Sequence, residues 1–155
     1  DATNCVAVEK IYSIKKRNIK TPMLSLVKNH IMIQSFSETP PNIINDVLDG
    51  LIVTTTVIYP MGKNLCKHIL SEDNSIGFRI PNNKFCLELI SLINKPIVST
   101  SANFHKEAFP KSFSEINNHI LKQVDYVVNL PRDNWSTKPS SVIKIDEFGN
   151  FCKIR

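Results

Sequence analysis

The chain has 155 residues, of which 42% are hydrophobic and 21% are charged. This composition is typical of one folded globular domain and excludes a disordered chain. No apolar run approaches the ~20 residues that a membrane-spanning helix needs, so we expect a cytoplasmic protein without a membrane partner. The net charge of +5 favours an anionic ligand such as a nucleotide, a polyphosphate or an RNA backbone.

The first half of the chain predicts helices and strands in alternation. Apolar residues recur near one face of the first helix, and Asn4 or Thr3 is a suitable N-cap. Pro40 and Pro41 open the next helix, and a β-branched run follows as a buried strand. The predicted elements are helices at 1–18, 42–48 and 64–70 and strands at 23–27 and 51–59.

The second half continues the alternation. Asn82 or Asn83 caps a helix, and Ser112 with Glu115 forms a capping box for another. The predicted elements are strands at 75–80, 95–99, 124–130, 141–145 and 151–155 and helices at 83–93 and 112–121. The pattern predicts a single α/β domain with an open, twisted mixed sheet and helices packed on it.

The cysteines and histidines give no sign of a metal site. The four cysteines are far apart and form no CxxC pair, and the four histidines lack metal-ligand spacing. We therefore expect no metal ligands and free thiols in a reducing compartment. The cysteines are Cys5, Cys66, Cys86 and Cys152.

Residues 95–103 are the stretch around which the chain is organised. They begin as an apolar run, which predicts a strand buried on both faces, and end in small polar residues including Ser99, Ser101 and Asn103. Open α/β sheets bind ligands beyond the carboxyl ends of their strands, so this cluster is a candidate ligand site. The alternative is a polar turn that only caps the next helix.

Several cations also stand at the ends of predicted elements. Lys15 and Arg17 end a helix, while Arg79 and Arg155 end strands. Such groups suit phosphate and carboxylate ligands, which arginine binds bidentately. The sequence has neither a P-loop nor a GxGxxG motif and no evident nucleophile with its base. Positioning and charge neutralisation are therefore favoured over covalent catalysis.

Four segments in order resemble the YrdC/TsaC family, the L-threonylcarbamoyladenylate synthases. The similar segments are residues 1–12 with Lys15-Lys16-Arg17, Gly77-Phe78-Arg79-Ile80-Pro81, Ser99-Thr100-Ser101-Ala102-Asn103, and Pro139-Ser140-Ser141-Val142-Ile143 with the closing Arg155. The resemblance implies a YrdC-like domain over residues 1–155 with an open sheet and a positively charged face. It also implies a first strand upstream of residue 1, which this sequence does not contain.

The resemblance further implies an activity. Family members condense ATP, L-threonine and bicarbonate or CO2 into threonylcarbamoyl-AMP and pyrophosphate, with Mg2+ on the phosphates. A downstream threonylcarbamoyl-transferase complex then modifies adenosine 37 of tRNA. Carried over by position, the threonine-binding residues would be Arg79 and Ser140. The ATP-binding residues would be Lys15, Arg17, Ser101, Asn103 and Arg155.

Two other functions are alternatives to this activity. A basic RNA-binding module of the same fold without catalysis would bind RNA with a steep salt dependence and little response to ATP. A hydrogenase-maturation carbamoyltransferase contains a similar domain, but such proteins are far longer than 155 residues. Aromatic stacking platforms for single-stranded RNA are not evident, because the phenylalanines mostly fall in apolar stripes.

Overall fold

A computed structural model describes residues 1–50, 55–130 and 140–154 of the chain. The helices are α1 (Cys5–Lys15), α2 (His30–Phe36), α3 (Pro41–Asp49), α4 (Lys84–Ile93) and α5 (Asn118–Gln123), with short 3-10 turns at Lys67–Ile69 and Phe113–Glu115. The strands are β1 (Leu24–Leu26), β2 (Thr56–Tyr59), β3 (Ile76–Arg79), β4 (Ile97–Ser99), β5 (Val142–Ile145) and β6 (Phe151–Lys153). The predicted α/β class is confirmed.

The six strands form one open mixed sheet in the order β4-β1-β3-β2-β5-β6. Strand β1 runs parallel to β3 and antiparallel to β4. Strand β2 runs antiparallel to β3 and parallel to β5, and β6 closes the far edge antiparallel to β5. Because β4 and β3 run in opposite directions, their carboxyl ends lie at opposite ends of the sheet.

The register divides the sheet into a closed face and an open face. Side chains alternate between faces, and directly paired residues share one. The closed face carries buried residues such as Val57, Phe78 and Ile143, which form one core with side chains from helices α1 to α4. The open face carries the alternate positions, most of which are only half-buried, including Gly77 and Arg79.

Asparagine side chains begin four of the helices. Asn4, Asn29, Asn83 and Asn117 each accept a hydrogen bond from a backbone N–H in the first turn of α1, α2, α4 and α5. These bonds satisfy N–H groups that have no partner inside the helix, which is why asparagine is favoured there. The predicted caps at Asn4 and Asn83 are confirmed. Helix α2 is not predicted from the sequence.

A second, smaller core lies beside the end of α1. It contains Ile14 of α1, Phe104 of the loop after β4, and Ile116 and Ile120 around α5. All four side chains are buried. This cluster fixes the loop after β4 against the end of α1, so it positions the two segments in which most of the candidate residues lie.

The structure corrects four predicted elements. Only a 3-10 turn at Lys67–Ile69 forms where a helix was predicted at 64–70. Residues 51–54 of the strand predicted at 51–59 lie outside the described residues.

Strand β4 lies at the edge of the sheet and is half-buried along its length, so it is not a strand buried on both faces. The helix predicted at 112–121 is a 3-10 turn followed by α5, because the Glu115 carboxylate accepts from the Lys111 N–H and forms no capping box with Ser112. Residues 124–130 form no strand, and Tyr126 is 75% exposed.

The prediction of free thiols is wrong for one pair. Cys5, the first residue of α1, forms a disulfide with Cys66, 61 positions away in the sequence. The Tyr12 hydroxyl also bonds to the His68 carbonyl oxygen (2.7 Å), and Glu9 pairs with the His68 ring. Cys86 and Cys152 are free. Helix α1 is therefore fastened to residues 66–68 along one side.

No helix in the described ranges is both long and apolar enough to cross a membrane.

Candidate functional site

Helix α1 ends in a turn with three consecutive cations, Lys15, Lys16 and Arg17, and the three side chains have different surroundings. Lys16 takes a left-handed conformation (φ 49°) and caps the helix, while the Arg17 N–H bonds back to the Tyr12 carbonyl oxygen. The Lys16 ammonium group lies 4.6 Å from the centre of the Phe104 ring. The reversal at Lys16 thus directs Lys15 inward and carries the chain on to Arg17.

The Lys15 side chain reaches the loop after β4. Its Nζ atom donates to the carbonyl oxygens of Ser101 (2.5 Å) and Asn103 (2.7 Å) and lies 3.5 Å from Asn103 Oδ1. In the opposite direction, the His105 N–H donates to the Lys15 carbonyl oxygen. Only 5% of Lys15 is exposed. Burial and, to a lesser degree, the charge of Arg17 lower the pKa of its ammonium group from 10.5 to about 8.

The Ser101 and Asn103 side chains hold each other. Ser101 Oγ donates to Asn103 Oδ1 (2.5 Å), and Asn103 Nδ2 donates to the Glu107 carbonyl oxygen (2.8 Å). The amide of Asn103 therefore uses both of its ends inside the loop. The alternative prediction, that this polar cluster only caps the next helix, is wrong, because the next helical segments begin at Phe113 and Asn118. The side chains instead organise a turn that lies beside the cations of α1.

Arg17 has unused hydrogen-bonding capacity. Its Nη2 atom donates to the Pro22 carbonyl oxygen (2.8 Å), while its Nε atom is buried and has no hydrogen-bond partner in the described ranges. A buried guanidinium donor without an acceptor is costly, so a ligand oxygen at this point would remove an unfavourable interaction.

A second group of candidate residues lies on the open face at the end of β3. Arg79 is half-buried, and within the described part of the chain no carboxylate pairs with it. Burial lowers the pKa of its guanidinium group, which nevertheless stays protonated because an arginine pKa begins so high. A half-buried cation of this kind is suited to an anionic ligand.

Two hydroxyl groups lie beside Arg79. Val57 pairs with Phe78, so the continuing register places Thr56 opposite Arg79 on the open face. Thr56 Oγ1 lies 3.1 Å from Ser140 Oγ, just before β5. The structure thus brings Arg79 and Ser140 into one neighbourhood. Thr56 was not among the predicted site residues. Its hydroxyl group at the start of β2 is the signal that could have identified it.

A shallow strip joins the two groups across the open face. Leu24 of β1 lies opposite Ser99 of β4, and Gly77 of β3 lies between Leu24 and Ile58. A Cβ atom at Gly77 would come within 3.4 Å of both the Leu24 Cβ and the Thr56 Cγ2. Because Gly77 has no side chain, the sheet surface stays open at this position, and a ligand can lie along the strip.

The predicted site residues therefore fall into two groups. Lys15, Ser101 and Asn103 are in direct contact, with Arg17 on the adjoining turn. The pair of Arg79 and Ser140 lies at the other end of the strip, and Arg155 lies outside the described residues. In the described ranges, no group of three or more His, Cys, Asp or Glu side chains could hold a metal ion.

An open α/β sheet that carries two arginines with unused hydrogen-bonding capacity, Arg17 and Arg79, is an arrangement suited to small anionic ligands. The sequence profile of the Sua5/YciO/YrdC family, described as telomere recombination, matches residues 1–155. The chain belongs to this family.

Two curated relatives have names that refer to one activity. A Methanocaldococcus jannaschii protein, named as a candidate threonylcarbamoyl-AMP synthase, is 31% identical over 147 residues, which cover 95% of this chain and 68% of the relative. The threonylcarbamoyl-AMP synthase of Pseudoalteromonas translucida is 26% identical over 145 residues, which cover 92% of this chain and 77% of the relative.

Solved structures show the same fold. P. abyssi Sua5 complexed with L-threonine matches with a TM-score of 0.79 at 19% identity, over 94% of this chain and 43% of Sua5. E. coli YciO matches with a TM-score of 0.73 at 22% identity, over 97% of this chain and 72% of YciO. The chain therefore spans less than half the length of Sua5.

Proposed function

We propose that this chain is a threonylcarbamoyl-AMP synthase, which forms threonylcarbamoyl-AMP and pyrophosphate from ATP, L-threonine and bicarbonate or CO2. Membership of the family and the names of the relatives support the reaction. The observation that carries the proposal in this structure is Arg79, a half-buried cation on the open face with no carboxylate partner in the described ranges.

We assign the threonine to the Arg79 end of the strip. The threonine carboxylate can form two parallel hydrogen bonds with a guanidinium group, and its hydroxyl can bond to a neighbouring hydroxyl. Thr56 Oγ1 and Ser140 Oγ, 3.1 Å apart, lie next to Arg79 in the register. P. abyssi Sua5, a protein of the same fold, forms a complex with L-threonine, which supports threonine as a substrate.

We assign ATP to the end of the strip formed by Arg17, Ser101 and Asn103, with Lys15 beneath them. We also propose Arg155, for which the resemblance implies a contact with the nucleotide, as an ATP-binding residue. The buried Arg17 Nε atom, which lacks an acceptor in the described ranges, gives this end its affinity for a phosphate oxygen. A substrate pair bound at opposite ends of one strip meets over Gly77, where no side chain stands between them.

The chemistry requires orientation and charge neutralisation. Threonine and bicarbonate give a carbamate and water. A carbamate oxygen then attacks the α-phosphorus of ATP, a new P–O bond forms, and the bond to the β-phosphate oxygen breaks as pyrophosphate leaves. Negative charge accumulates on the phosphate oxygens in the transition state, and Arg17 is placed to neutralise it.

Magnesium is proposed to enter with ATP. The groups at the nucleotide end are cations, a hydroxyl and an amide, and the described residues offer no carboxylate cluster for a resident cation. Such a set fits an anion and does not fit a protein-bound Mg2+, which prefers carboxylates and waters. The threonylcarbamoyl group is proposed to pass to a downstream transferase that modifies tRNA, in the cytoplasm, where ATP and tRNA are available.

Mass spectrometry tests the proposal. The chain, ATP, Mg2+, L-threonine and bicarbonate are incubated, and threonylcarbamoyl-AMP is sought together with pyrophosphate. Product that depends on all substrates supports the synthase. If no product forms, and the chain instead binds RNA with a steep dependence on salt and no response to ATP, the synthase is excluded in favour of an RNA-binding module.

A further inference from the structure

The two edges of the sheet differ in how far they are covered. At one edge, the Ala2 N–H donates to the Pro96 carbonyl oxygen (2.9 Å), and the following strand β4 is half-buried along its length. At the other edge, all three residues of β6 are exposed. Within residues 1–50, 55–130 and 140–154, β5 is the only strand that pairs with β6. An uncovered edge strand is a template for pairing with another strand.

The pairing of β6 with β5 determines which main-chain groups of β6 point outward. The Asp146 N–H donates to the Asn150 carbonyl oxygen (3.0 Å), and the Ile154 N–H donates to the Val142 carbonyl oxygen (2.8 Å). Hydrogen-bonded and non-hydrogen-bonded pairs alternate along an antiparallel ladder. The even-numbered residues of β6 therefore bond to β5, and the odd-numbered residues direct their N–H and C=O groups away from it.

Phe151 and Lys153 are these odd-numbered residues. In the described part of the chain, no acceptor takes the N–H of either residue. The Lys153 carbonyl oxygen faces only the Cys152 thiol (3.7 Å), which is a weak donor. The outer side of β6 thus has two residues whose main-chain donors and acceptors can form a further ladder.

This edge is complementary to a second copy of itself. If two β6 strands run antiparallel about a two-fold axis at Cys152, Phe151 of each copy lies opposite Lys153 of the other. Each of these pairs is hydrogen-bonded, since both of its residues direct their N–H and C=O groups outward. Phe151 and Lys153 also share the closed face, because they pair with Ile145 and Ile143 of β5. The ammonium group of one copy can therefore lie against the aromatic ring of the other.

Other registers of the same two strands are less favourable. A register centred on Lys153 places two ammonium groups directly opposite each other, which is destabilising. A register centred on Phe151 places Lys153 opposite Gly149. The Gly149 N–H already donates to the Asp146 carbonyl oxygen in the hairpin turn, and its φ of 87° lies outside the strand region. Only the register centred on Cys152 pairs both outward-pointing residues.

We propose that β6 is a homodimer interface, at which two copies of this chain join through antiparallel β6 strands centred on Cys152. The two six-stranded sheets then form one continuous sheet. Because the two-fold axis is perpendicular to the sheet, the open faces of both copies lie on the same side. The interface is short, so the dimer is weak and its population depends on protein concentration. This inference does not rest on the proposed function.

Sedimentation velocity of the full chain tests for the dimer. As the protein concentration rises from micromolar to millimolar, the sedimentation coefficient is expected to move from that of a monomer towards that of a dimer. The change is expected to reverse on dilution, because the association is not covalent. A chain that stays monomeric over the whole range overturns the inference.

Two lysine variants distinguish the β6 edge from other exposed apolar surfaces. Phe151 and Phe148 are 72% and 76% exposed, so neither replacement uncovers the core. Phe151→Lys places a like charge opposite Lys153 of the second copy and is expected to weaken association about tenfold. Phe148→Lys, in the hairpin turn, is expected to leave association unchanged. A Phe151→Lys protein that associates as tightly as the unsubstituted chain overturns the inference.

The position of Cys152 on the axis gives a second test, which depends on the register. Cys152 faces its own copy in a non-hydrogen-bonded pair, whose Cα atoms are about 4.5 Å apart, within reach of a disulfide. Mild oxidation with copper phenanthroline is expected to link two chains at Cys152, which peptide mass spectrometry identifies.

The double variant Cys152→Ser, Ile154→Cys is the control for random collision of thiols. Ile154 is also exposed and lies on the same face as Cys152. In the proposed register, position 154 lies opposite Asn150 and not opposite itself, so cross-linking is expected to be lost. Equal cross-linking of this variant and the unsubstituted chain overturns the inference.

Discussion

Lys15 and Arg79 are both cations removed from water, but their surroundings are opposite. Lys15 is buried, and its ammonium group donates to carbonyl oxygens of the loop after β4. Arg79 is half-buried on the open face and has no carboxylate partner in the described ranges. A cation whose donors are satisfied within the fold contributes to its architecture, whereas one that lacks acceptors is stabilised only when a ligand supplies them.

Arg79→Ala is expected to have the largest effect on activity. Removing a guanidinium group that binds a substrate carboxylate is expected to lower kcat/KM for threonine about 100-fold or more. Stability is expected to change by less than about 1 kcal/mol, because the fold loses no ion pair. Steady-state kinetics and urea unfolding measure both quantities.

Lys84→Ala is the matched control for Arg79→Ala. Lys84 is a 90% exposed cation at the start of α4, where it pairs with Glu88. Lys84→Ala is expected to leave both kcat/KM for threonine and the stability unchanged. An Arg79→Ala protein that retained its kcat/KM for threonine while losing stability would assign Arg79 to the scaffold and contradict the comparison.

Lys15→Met, unlike Arg79→Ala, is expected to lower the stability of the fold strongly. Two buried carbonyl oxygens lose their donor, which is expected to cost about 2 kcal/mol of unfolding free energy. Urea unfolding followed by circular dichroism measures this change. A variant as stable as the unsubstituted chain would show that the loop finds other donors, and Lys15 would then not belong to the architecture.

The strip between the two cations is tested by Gly77→Leu. A side chain at this position would fill the space above Leu24 and Thr56, so turnover is expected to fall about tenfold while the fold persists. Gly77→Ala is the control, since its Cβ would make ordinary contacts at 3.4 Å. Equal activity of the leucine and alanine variants would place the substrates elsewhere.

The smallest expected effect comes from the pH dependence of Lys15. With its pKa lowered to about 8, Lys15 loses its proton as the pH rises from 7 to 8.5, and the affinity for ATP should fall with it. The stability of the fold should instead increase as the pH rises. The unfolded chain, with a pKa of 10.5, binds more protons between about pH 8 and 10.5, so the Lys15 contribution to unfolding free energy rises with pH.

ATP titrations and urea unfolding at pH 7 and 8.5, repeated on Lys15→Met, isolate the contribution of Lys15. The difference between the two proteins should carry the pH dependence. An ATP affinity of the unsubstituted chain that is equal at pH 7 and 8.5 would contradict a titrating Lys15.

Much of the fold was accessible from the sequence because local signals agreed with the tertiary structure. Asn4 and Asn83 cap the helices that they were expected to cap, and the motif at 77–81 ends a strand with Arg79 on it. The predictions failed where a local signal had a competitor. Ser112 and Glu115 have the spacing of a capping box, but the Lys111 N–H takes the Glu115 carboxylate.

Other features depend on contacts between distant parts of the chain. Spacing cannot reveal that Cys5 and Cys66 meet, because 61 residues separate them. The apolar run at 124–130 has strand propensity, yet propensity cannot supply a neighbouring strand. For the candidate site, motifs identified Arg79 and Ser140, but only the register showed that Thr56 lies between them.

The contacts between α1 and residues 66–68 oppose local unwinding of the helix. Three contacts fasten α1 at residues 5, 9 and 12: the disulfide, the pairing of Glu9 with His68, and the Tyr12 hydroxyl on the His68 carbonyl oxygen. A helix tied at several turns cannot unwind without separating these contacts, so its amide protons should exchange with solvent only when the entire domain opens. The turn that carries Lys15 and Arg17 is thus attached to the part of the molecule that opens last.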